Sequence, residues 1–307
     1  MKLLLTGASG FIGRNVLLRV PRDWRVFAVY QANDLHEFVA AHALAHVTPV
    51  ACDLTDADAV RAMAARIGRC DAALHLAANG DPAASAARAA WDLRLNTVAL
   101  VNVLERCELD RLVYLSSGAV YDGRQGEVTP ATPVNPLLPY AIAKLASERY
   151  VAFFAERRHA LAGYANVRFF GAYGPYEAPR KITTRFVRTV LDGGREFVVR
   201  GDGRNLIDFM YVDDAVDALL RVVGDRAFSG TVDLASGAPA TITDVVGAMT
   251  RALGAAIAVR YEGDVPEYIE FRSADRTMRD RFGFAASTPF ETGIRRLYEF
   301  FAQTARA

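Results

Sequence analysis

Short apolar runs alternate with amphipathic segments along the first 115 residues of the chain. The apolar runs predict strands at residues 2–5, 25–30, 47–51, 72–76 and 112–115. The segments between them repeat apolar positions at helical spacing and predict helices at residues 15–20, 35–45, 57–67 and 91–106. Strands that are apolar throughout and alternate with helices indicate a parallel sheet that helices cover on both faces.

The alternation loosens after the fifth strand. Residues 122–139 contain four prolines and two glycines, which predicts a loop, and a helix at 140–158 and a sixth strand at 165–170 follow. Farther on, the pattern predicts helices at residues 182–191, 212–223, 242–253 and 290–301, with short strands at 197–199 and 207–211. We therefore expect a regular N-terminal unit and a less regular C-terminal third.

A glycine-rich turn follows the first strand directly, with the sequence Thr6-Gly7-Ala8-Ser9-Gly10-Phe11-Ile12-Gly13. In such a turn Gly7 permits the sharp bend, Gly10 lets phosphates approach the main chain, and Gly13 lets the helix pack closely on the strand. Backbone N–H groups and a helix N-terminus then face a pyrophosphate. The motif predicts a bound dinucleotide, the alternative being a purely structural loop.

Together these elements predict an α/β fold, a doubly wound parallel Rossmann sheet with a smaller C-terminal α/β substrate-binding region. We assign residues 1–170 to the dinucleotide-binding domain and expect residues 206–235 to return to it. Residues 171–205 and 236–307 are assigned to the substrate-binding region. The carboxyl ends of the parallel strands, and with them the ligand, are expected along one edge of the sheet.

Composition narrows the possible partners. The chain has 307 residues, 52% of them hydrophobic, and a formal net charge of +1, so bulk charge indicates neither nucleic acid nor an anionic membrane as a partner. Cys52, Cys70 and Cys107 have no metal-binding spacing, so we predict no metal. Without a secretory pattern or an apolar run of roughly 18 residues, the chain is predicted to be a soluble cytoplasmic protein.

Tyr140 and Lys144 lie four residues apart on a predicted helix and therefore share a face. A nearby ammonium lowers a phenol pKa of about 10 by roughly 1 to 3 units, so Tyr140 is expected to exchange a proton with an alcohol or ketone near neutral pH. Ser117, at the end of the fifth strand, is placed to hydrogen-bond the same substrate oxygen. The alternative for the pair is a solvated helix face.

With these motifs the chain resembles the extended short-chain dehydrogenase/reductases, a group of nucleotide-sugar epimerases, dehydratases and ketoreductases. The resemblance covers nearly the whole chain. It is carried, in order, by Thr6 to Gly13, Asp53-Leu54, His75 to Ala78, Asn96-Thr97, Ser116 to Tyr121, Tyr140 to Lys144, Arg168 to Phe170, Tyr173 to Pro175 and Asp208 to Ala215.

The resemblance implies that Ser117, Tyr140 and Lys144 form a catalytic triad. It also implies that NAD or NADP is bound by Gly7, Ser9, Gly10, Phe11, Ile12, Arg14, Asp53, Leu54, Leu76, Ala77, Ala78, Asn96, Ser116, Tyr140, Lys144 and Phe170. In that set Asp53 and Leu54 would meet the adenine, and Phe170 would lie near the nicotinamide. The structural alternatives are that Asp53 only begins a turn and that Ala77 and Ala78 are small for packing.

Departures from the family pattern bear on the activity. Gly118 and Ala119 occupy positions at which dehydratases of the family carry an acidic pair and decarboxylating members carry a glutamate. Reductases that epimerise two carbons use a cysteine at the position of Ala119. Gly171 replaces an asparagine and Ile207 an arginine that hold the substrate diphosphate in many members. Elimination is therefore disfavoured, and the diphosphate clamp is partly missing.

Basic side chains elsewhere are candidates to replace that clamp, because guanidinium groups bind phosphates bidentately. They are Arg180, Lys181, Arg185, Arg204 and Arg272. We assign substrate binding to Ser117, Gly171, Arg180 and Arg204, the alternative for each arginine being a surface charge.

The leading functional hypothesis is a nucleotide-sugar 4-ketoreductase, and the alternatives are a nucleotide-sugar 4-epimerase and a non-catalytic dinucleotide-sensing protein. Tyr30 and Gln31 end the second strand where NAD-specific relatives place an acid, and Arg14 follows the glycine turn, so NADP is slightly favoured. The helices at 91–106 and 140–158 resemble those that form a four-helix dimer interface in the family, which predicts a homodimer.

Overall fold

The computed structural model of the protein describes residues 1–158, 161–265 and 269–304. The strands are β1 (Lys2–Thr6), β2 (Arg25–Tyr30), β3 (Val47–Ala51), β4 (Ala72–His75), β5 (Arg111–Ser117), β6 (Gln125–Val128), β7 (Gly163–Phe169), β8 (Ala172–Tyr173), β9 (Glu196–Arg200), β10 (Leu206–Ile207), β11 (Met210–Tyr211), β12 (Gly230–Leu234), β13 (Ala240–Thr241), β14 (Ala258–Glu262) and β15 (Glu270–Ser273).

The helices are α1 (Phe11–Arg19), α2 (His36–Ala41), α3 (Ala57–Ile67), α4 (Pro82–Ala87), α5 (Ala89–Leu93), α6 (Ala99–Arg106), α7 (Pro139–Glu156), α8 (Ile182–Leu191), α9 (Val212–Gly224), α10 (Ile242–Leu253), α11 (Thr277–Asp280) and α12 (Phe290–Thr304). A π-helical segment, Arg94–Val98, joins α5 to α6, and a 3₁₀ turn, Gly118–Tyr121, follows β5.

Seven parallel strands form the main sheet in the order β12-β7-β5-β4-β1-β2-β3. The order reverses beside β1, whose residue Leu3 pairs with Val26 of β2 on one side and Ala72 of β4 on the other. A crevice forms at the carboxyl ends of strands at such a reversal, and ligands bind there in open α/β sheets. The predicted fold class, a doubly wound parallel Rossmann sheet, is confirmed.

Alternate residues of β1 supply both faces of the core, which explains why that strand is apolar throughout. Leu3 and Leu5 pack in a cluster with Val16 of α1 and Leu219 of α9, whereas Leu4 packs with residues of α3 and α6 on the opposite face. Leu3, Leu4 and Leu5 are almost fully buried. Truncating one of them to alanine is expected to cost about 2–5 kcal/mol of folding stability.

The predicted elements differ from the structure where long-range contacts decide. The helix predicted at 35–45 ends at Ala41, and the helix predicted at 91–106 is interrupted by the π-helical segment. Residues 122–139, predicted as a loop, contain β6, which pairs in parallel with β15 near the C-terminus. The strand predicted at 207–211 is split into β10 and β11, which pair with different partners.

Smaller two-stranded sheets and three helices build the C-terminal part. β9 pairs with β14, β10 with β13 and β8 with β11, while α8, α10 and α12 pack against one another. β12 lies in the main sheet beside β7. The division into two functional regions stays a prediction. In the ranges that the structure describes, no helix has the length and apolar character needed to cross a membrane.

Candidate active site

The glycine turn after β1 lies against the residues that follow β4. Gly7 has a φ of 67°, and a Cβ there would lie 2.7 Å from the Ala77 nitrogen. A Cβ on Gly13 would collide with the Gly7 carbonyl. Gly10 is the N-cap of α1 and offers no side chain to the first N–H groups of the helix, so these donors remain available to an anion. The turn therefore has the shape that a pyrophosphate requires.

A cleft of about 290 Å³ extends from this turn across the ends of β2, β3 and β4. It is lined by predicted cofactor residues, namely Gly7, Ser9, Gly10, Asp53, Leu54, Leu76, Ala77 and Ala78. The Asp53 carboxylate also accepts hydrogen bonds from the Thr55 nitrogen and hydroxyl, both at 2.8 Å. Asp53 thus builds a turn and lines the cleft at once. The binding roles of these residues stay predictions.

A second cavity, of about 250 Å³, continues on the other side of the glycine turn. Its lining brings together Phe11, Ile12, Ser116, Ser117, Tyr140 and Lys144. The helix start that would hold the phosphates and the proposed catalytic side chains therefore face one space. A nicotinamide dinucleotide fits this arrangement: its adenosine would occupy the first cleft, here called the adenosine cleft, and its nicotinamide would occupy the second cavity.

Three side chains define the chemistry of this cavity. The Lys144 Nζ donates to the Leu115 carbonyl at 2.8 Å and lies 5.8 Å from the centroid of the Tyr140 ring. The Ser117 Oγ accepts from the Ala119 nitrogen at 3.1 Å, and Ser117 and Tyr140 line the same cavity. The structure therefore brings the predicted triad together at the end of β5 and the start of α7.

The electrostatics differ from the expectation that Lys144 lowers the pKa of Tyr140. Burial raises the pKa of Tyr140, and the interaction with the Ser117 hydroxyl opposes this only in part. Burial also lowers the pKa of Lys144 to about 8, against the opposing effects of Asp92 and Glu148. The nearby Asp92 carboxylate raises the pKa of Tyr140 further.

A buried ion pair anchors the strand end that carries Ser117. The Arg168 guanidinium binds the Glu148 carboxylate with donor–acceptor distances of 2.9 to 3.3 Å, and both side chains are about 95% buried. Ser116 donates to the same carboxylate at 2.5 Å. The pair therefore joins α7 to β7, and the Ser116 hydrogen bond joins the same carboxylate to β5. Removing one partner of the pair would leave an uncompensated buried charge.

Asn96 is fully buried and lines neither of the two cavities described above. Its side-chain amide donates to the Asp92 carboxylate at 2.7 Å and accepts from the Asn79 nitrogen at 2.9 Å. Sequence reasoning missed Asp92 and Asn79. The spacing of Asp92 and Asn96, four residues apart on a predicted helix, was a usable signal, because such residues share a face.

The substrate side is a cleft of about 300 Å³ that shares Ser117 and Tyr140 with the second cavity. Most of its other walls are apolar or small and come from distant segments: Gly118, Ala119, Phe170, Leu206, Ile207, Pro239, Ile269 and Phe271. The rings of Tyr121, Phe170 and Phe271 contact one another with centroids 5.8 to 6.1 Å apart. They form an aromatic wall behind the cleft.

The predicted substrate cations lie outside this cleft. Arg180 pairs with Asp81 at 3.2 Å, and Arg204 pairs with Asp202 at 2.6 Å. Among the described residues, neither arginine lines the cleft, and Gly171 does not line it either. Lys181 is the one basic side chain among the described residues that line it. Because a Cβ at Gly171 would lie 2.7 Å from the Phe209 ring, that ring fills the space beside it.

The other candidate cations are also engaged elsewhere. Arg272 pairs with Glu127 at 3.2 Å, and Arg185 donates to the Val198 carbonyl at 2.7 Å. Arg14 stacks between Phe38 and Tyr176, 5.4 Å from the centroid of each ring, and does not line the adenosine cleft. Its contact with a 2′-phosphate stays a prediction.

A sequence model described as the NAD dependent epimerase/dehydratase family matches residues 3–232. The chain belongs to this family. Membership confirms the resemblance inferred from the motifs. The family is NAD dependent, so its cofactor is a nicotinamide dinucleotide. This cofactor agrees with the glycine turn and the two connected cavities described above.

Members of the family with known names are similar over much of the chain. A dTDP-D-glucose 4,6-dehydratase of Mus musculus is 27% identical over 72% of this chain, which spans 64% of the mouse protein. A UDP-glucose 4-epimerase of Mycolicibacterium smegmatis is 27% identical over 98% of each chain. The structure titled MoeE5 in complex with UDP-glucose and NAD superposes with a TM-score of 0.86 at 26% identity, covering 99% of this chain and 100% of that chain.

Proposed function

We propose that the protein is an NAD(P)-dependent 4-ketoreductase of a nucleotide-linked sugar. One observation carries the proposal: Ser117 and Tyr140 line both the cavity that fits the nicotinamide and the cleft on the substrate side. A carbonyl held by these two hydroxyls lies at the junction between hydride donor and substrate. Such positioning supplies much of the rate enhancement of a transfer reaction.

The proposed roles of the side chains follow from their contacts. Ser117 and Tyr140 hold the carbonyl oxygen of the sugar, and Tyr140 gives that oxygen its phenolic proton as the carbonyl becomes an alcohol. The cofactor, when bound, supplies the hydride that reaches the carbon. The raised pKa of Tyr140 supports this direction, because a phenol that keeps its proton at neutral pH is a proton donor.

The residues after Ser117 disfavour the dehydratase reaction. Elimination needs an acid and a base beside the reacting carbons, and Gly118 and Ala119 offer neither. A Cβ at Gly118 would lie 3.2 Å from the Phe170 ring, so the aromatic wall takes up the space that a longer side chain would need. For this reason we do not carry over the activity of relatives named dehydratases.

The weak grip on a diphosphate favours reductase over epimerase. An epimerase must hold the nucleotide while the keto sugar turns over, whereas a single reduction needs no such rotation. In the described part of the substrate cleft, Lys181 is the one cation available for a phosphate. An ammonium is a point charge and cannot bind a phosphate bidentately as arginine does.

The second candidate is a nucleotide-sugar 4-epimerase. The UDP-glucose 4-epimerase of Mycolicibacterium smegmatis, aligned over 98% of both chains, supports it. The same triad would then remove a hydride and return it to the other face of the sugar. A non-catalytic dinucleotide sensor is a third candidate, which the assembled triad of Ser117, Tyr140 and Lys144 disfavours.

The proposed activity is tested with purified protein, NADH or NADPH, and a 4-keto-6-deoxy nucleotide sugar. A ketoreductase is expected to purify largely free of cofactor and to oxidise one reduced cofactor for each sugar consumed. Bound NAD together with interconversion of two 4-epimeric sugars, without net change in reduced nicotinamide absorbance, would establish the epimerase instead. Cofactor binding without hydride transfer to any such sugar would indicate a sensor.

We also propose a homodimer through α5, the π-helical segment and α7. These elements carry large apolar side chains that are 38 to 48% exposed: Leu93, Val98, Ile142, Tyr150 and Phe153. Exposed apolar side chains grouped on adjacent helices mark interaction surfaces. Sedimentation equilibrium of the protein and of an Ile142→Glu variant tests the proposal. The unaltered protein should be a dimer, and the glutamate charge in the variant should weaken that dimer.

A further inference from the structure

Asp92 is a buried acid beneath the catalytic helix to which the proposed reaction assigns no role. It lies in α5, and its side chain is fully buried. One carboxylate oxygen accepts from the side-chain amides of Asn79 at 2.8 Å and Asn96 at 2.7 Å. The other carboxylate oxygen has no hydrogen-bond partner among the described residues. A buried carboxylate that is half satisfied is costly and calls for an explanation.

The hydrogen bonds of Asp92 hold the segment that leaves β4. Asn79 follows Ala77 and Ala78, which line the adenosine cleft, and its backbone nitrogen donates to Asn96 at 2.9 Å. The Asn96 carbonyl, in the π-helical segment, in turn accepts from the Ser147 hydroxyl of α7 at 3.1 Å. Asp92 therefore sits in a buried network that joins the adenosine cleft to the helix carrying Tyr140 and Lys144.

Lys144 is the buried cation of α7, the helix that packs against α5. Its Nζ lies 4.9 Å from the centroid of the Tyr114 ring in β5. Lys144 interacts with titratable groups of several elements: Asp92 of α5, Glu148 and Tyr140 of α7, Tyr114 of β5 and His75 of β4.

Among these groups, Asp92 is the acid without a cation of its own. Glu148 is already paired with Arg168 and shared with Ser116. His75 is buried with its Nδ1 3.0 Å from the Thr6 hydroxyl, and burial lowers its pKa to about 3, so it adds no charge near neutral pH. Asp92 is bonded to two neutral amides. Its negative charge therefore acts on Lys144, and it also raises the pKa of Tyr140.

We propose that Asp92 is a positioning residue for the active site: its buried carboxylate fixes the segment after β4 through Asn79 and Asn96 and supplies the counter-charge that keeps Lys144 an ammonium. Burial without a counter-charge favours the neutral amine. The ammonium form has three N–H groups, so it donates one to the Leu115 carbonyl and presents two more, with a full positive charge, to the cofactor side of the cavity. The inference rests on the proposed role of Lys144 but not on which sugar is reduced.

The sequence permits a direct test, because the chain has three lysines, Lys2, Lys144 and Lys181. Protein labelled biosynthetically with ¹³C-lysine gives three sets of side-chain signals, and Lys2→Arg and Lys181→Arg variants assign that of Lys144 by elimination. The chemical shift of Lys144 is followed from pH 5.5 to 10, with and without NAD. The variant is Asp92→Asn, which keeps the shape of the side chain and removes its charge.

The matched control is Asp214→Asn. Asp214 is also a buried aspartate, but its carboxylate accepts from Ser287 and Thr288 near the C-terminus, away from Lys144. We expect the titration midpoint of Lys144 to fall by about 1 pH unit or more in Asp92→Asn, the scale of losing a close opposite charge. The control should titrate like the unaltered protein. An unchanged midpoint in Asp92→Asn overturns the proposal.

A second variant covers the case in which Asp92→Asn does not fold. Asp92→Glu keeps the charge but displaces the carboxylate from Asn79 and Asn96, so the Lys144 midpoint should stay near that of the unaltered protein. A midpoint that falls in Asp92→Glu contradicts the counter-charge role. The titration needs no sugar, so Lys144 behaving as expected in a protein that reduces no 4-keto sugar would reject the proposed function and retain the role of Asp92.

Discussion

The adenosine cleft and the substrate cleft are built in different ways, and the cavity between them shares Ser117 and Tyr140 with the substrate cleft. The adenosine cleft is lined by residues from the first 100 positions, most of them at the carboxyl ends of adjacent parallel strands. Residues between 80 and 271 line the substrate cleft, and strands or loops far apart in the chain supply them. The first is therefore determined by local turns, and the second by long-range packing.

This difference has a functional consequence. Glycines and alanines shape the cofactor side, where backbone must approach a phosphate closely. Mostly apolar side chains, together with Lys181 and Asp208, shape the substrate side, so its selectivity depends on which side chains pack there. Changes on the cofactor side should alter binding of the dinucleotide whichever sugar is present. Changes on the substrate side should alter which sugar is accepted.

The largest effect is expected in the cavity between the two clefts. Tyr140→Phe removes the proton donor, so turnover should fall by about 10² or more while NADH affinity stays nearly unchanged. Steady-state rates and NADH fluorescence titration measure both quantities. Tyr150→Phe, on the exposed side of the same helix, is the control. Near-normal turnover of Tyr140→Phe would remove this phenol from the mechanism.

The next effect tests the cofactor side alone. Gly13→Ala places a Cβ against the Gly7 carbonyl, so the turn must move, at a cost of about 1–3 kcal/mol of folding stability. The same movement should weaken NADH binding by about tenfold, equivalent to about 1.4 kcal/mol. Thermal unfolding and NADH titration report the two costs. Gly224→Ala, which has open space around its Cβ, should show neither.

A smaller effect tests the substrate side alone. Lys181→Ala should raise the KM for a nucleotide sugar by about tenfold, the loss expected for one charged hydrogen bond, and leave NADH affinity unchanged. Arg204→Ala, which removes a side chain paired with Asp202, should change KM by less than about twofold, as is usual for exposed ion pairs. A larger KM increase for Arg204→Ala than for Lys181→Ala would favour the assignment made from sequence.

The smallest effect concerns the choice between NAD and NADP. If Arg14 leaves its position between Phe38 and Tyr176 to meet a 2′-phosphate, Arg14→Ala should weaken NADPH binding severalfold and NADH binding hardly at all. Titration of both reduced cofactors against both proteins measures the preference. Tighter binding of NADH by the unaltered protein, with no effect of Arg14→Ala, would reverse the slight preference for NADP.

The same division explains what the sequence could predict. The glycine turn, the end of β5 and the Tyr140–Lys144 spacing are local patterns, and the structure brings all of them to one cavity. The pairing of β6 with β15, which brings Phe271 to the cleft, joins residues about 145 positions apart and leaves no local signal. The partners of Arg180 and Arg204 were likewise not visible, because ion pairing at a surface depends on the loops' final positions.

Isotope transfer tests the proposed reaction most directly. The protein is incubated with a 4-keto-6-deoxy nucleotide sugar and NADH deuterated at C4 of the nicotinamide, each C4 diastereomer in turn, with Tyr140→Phe as the blank. We predict that one diastereomer delivers one deuterium to C4 of the sugar for each NADH oxidised. A sugar product without deuterium, no loss of NADH and interconversion of 4-epimeric sugars would contradict the proposed reduction.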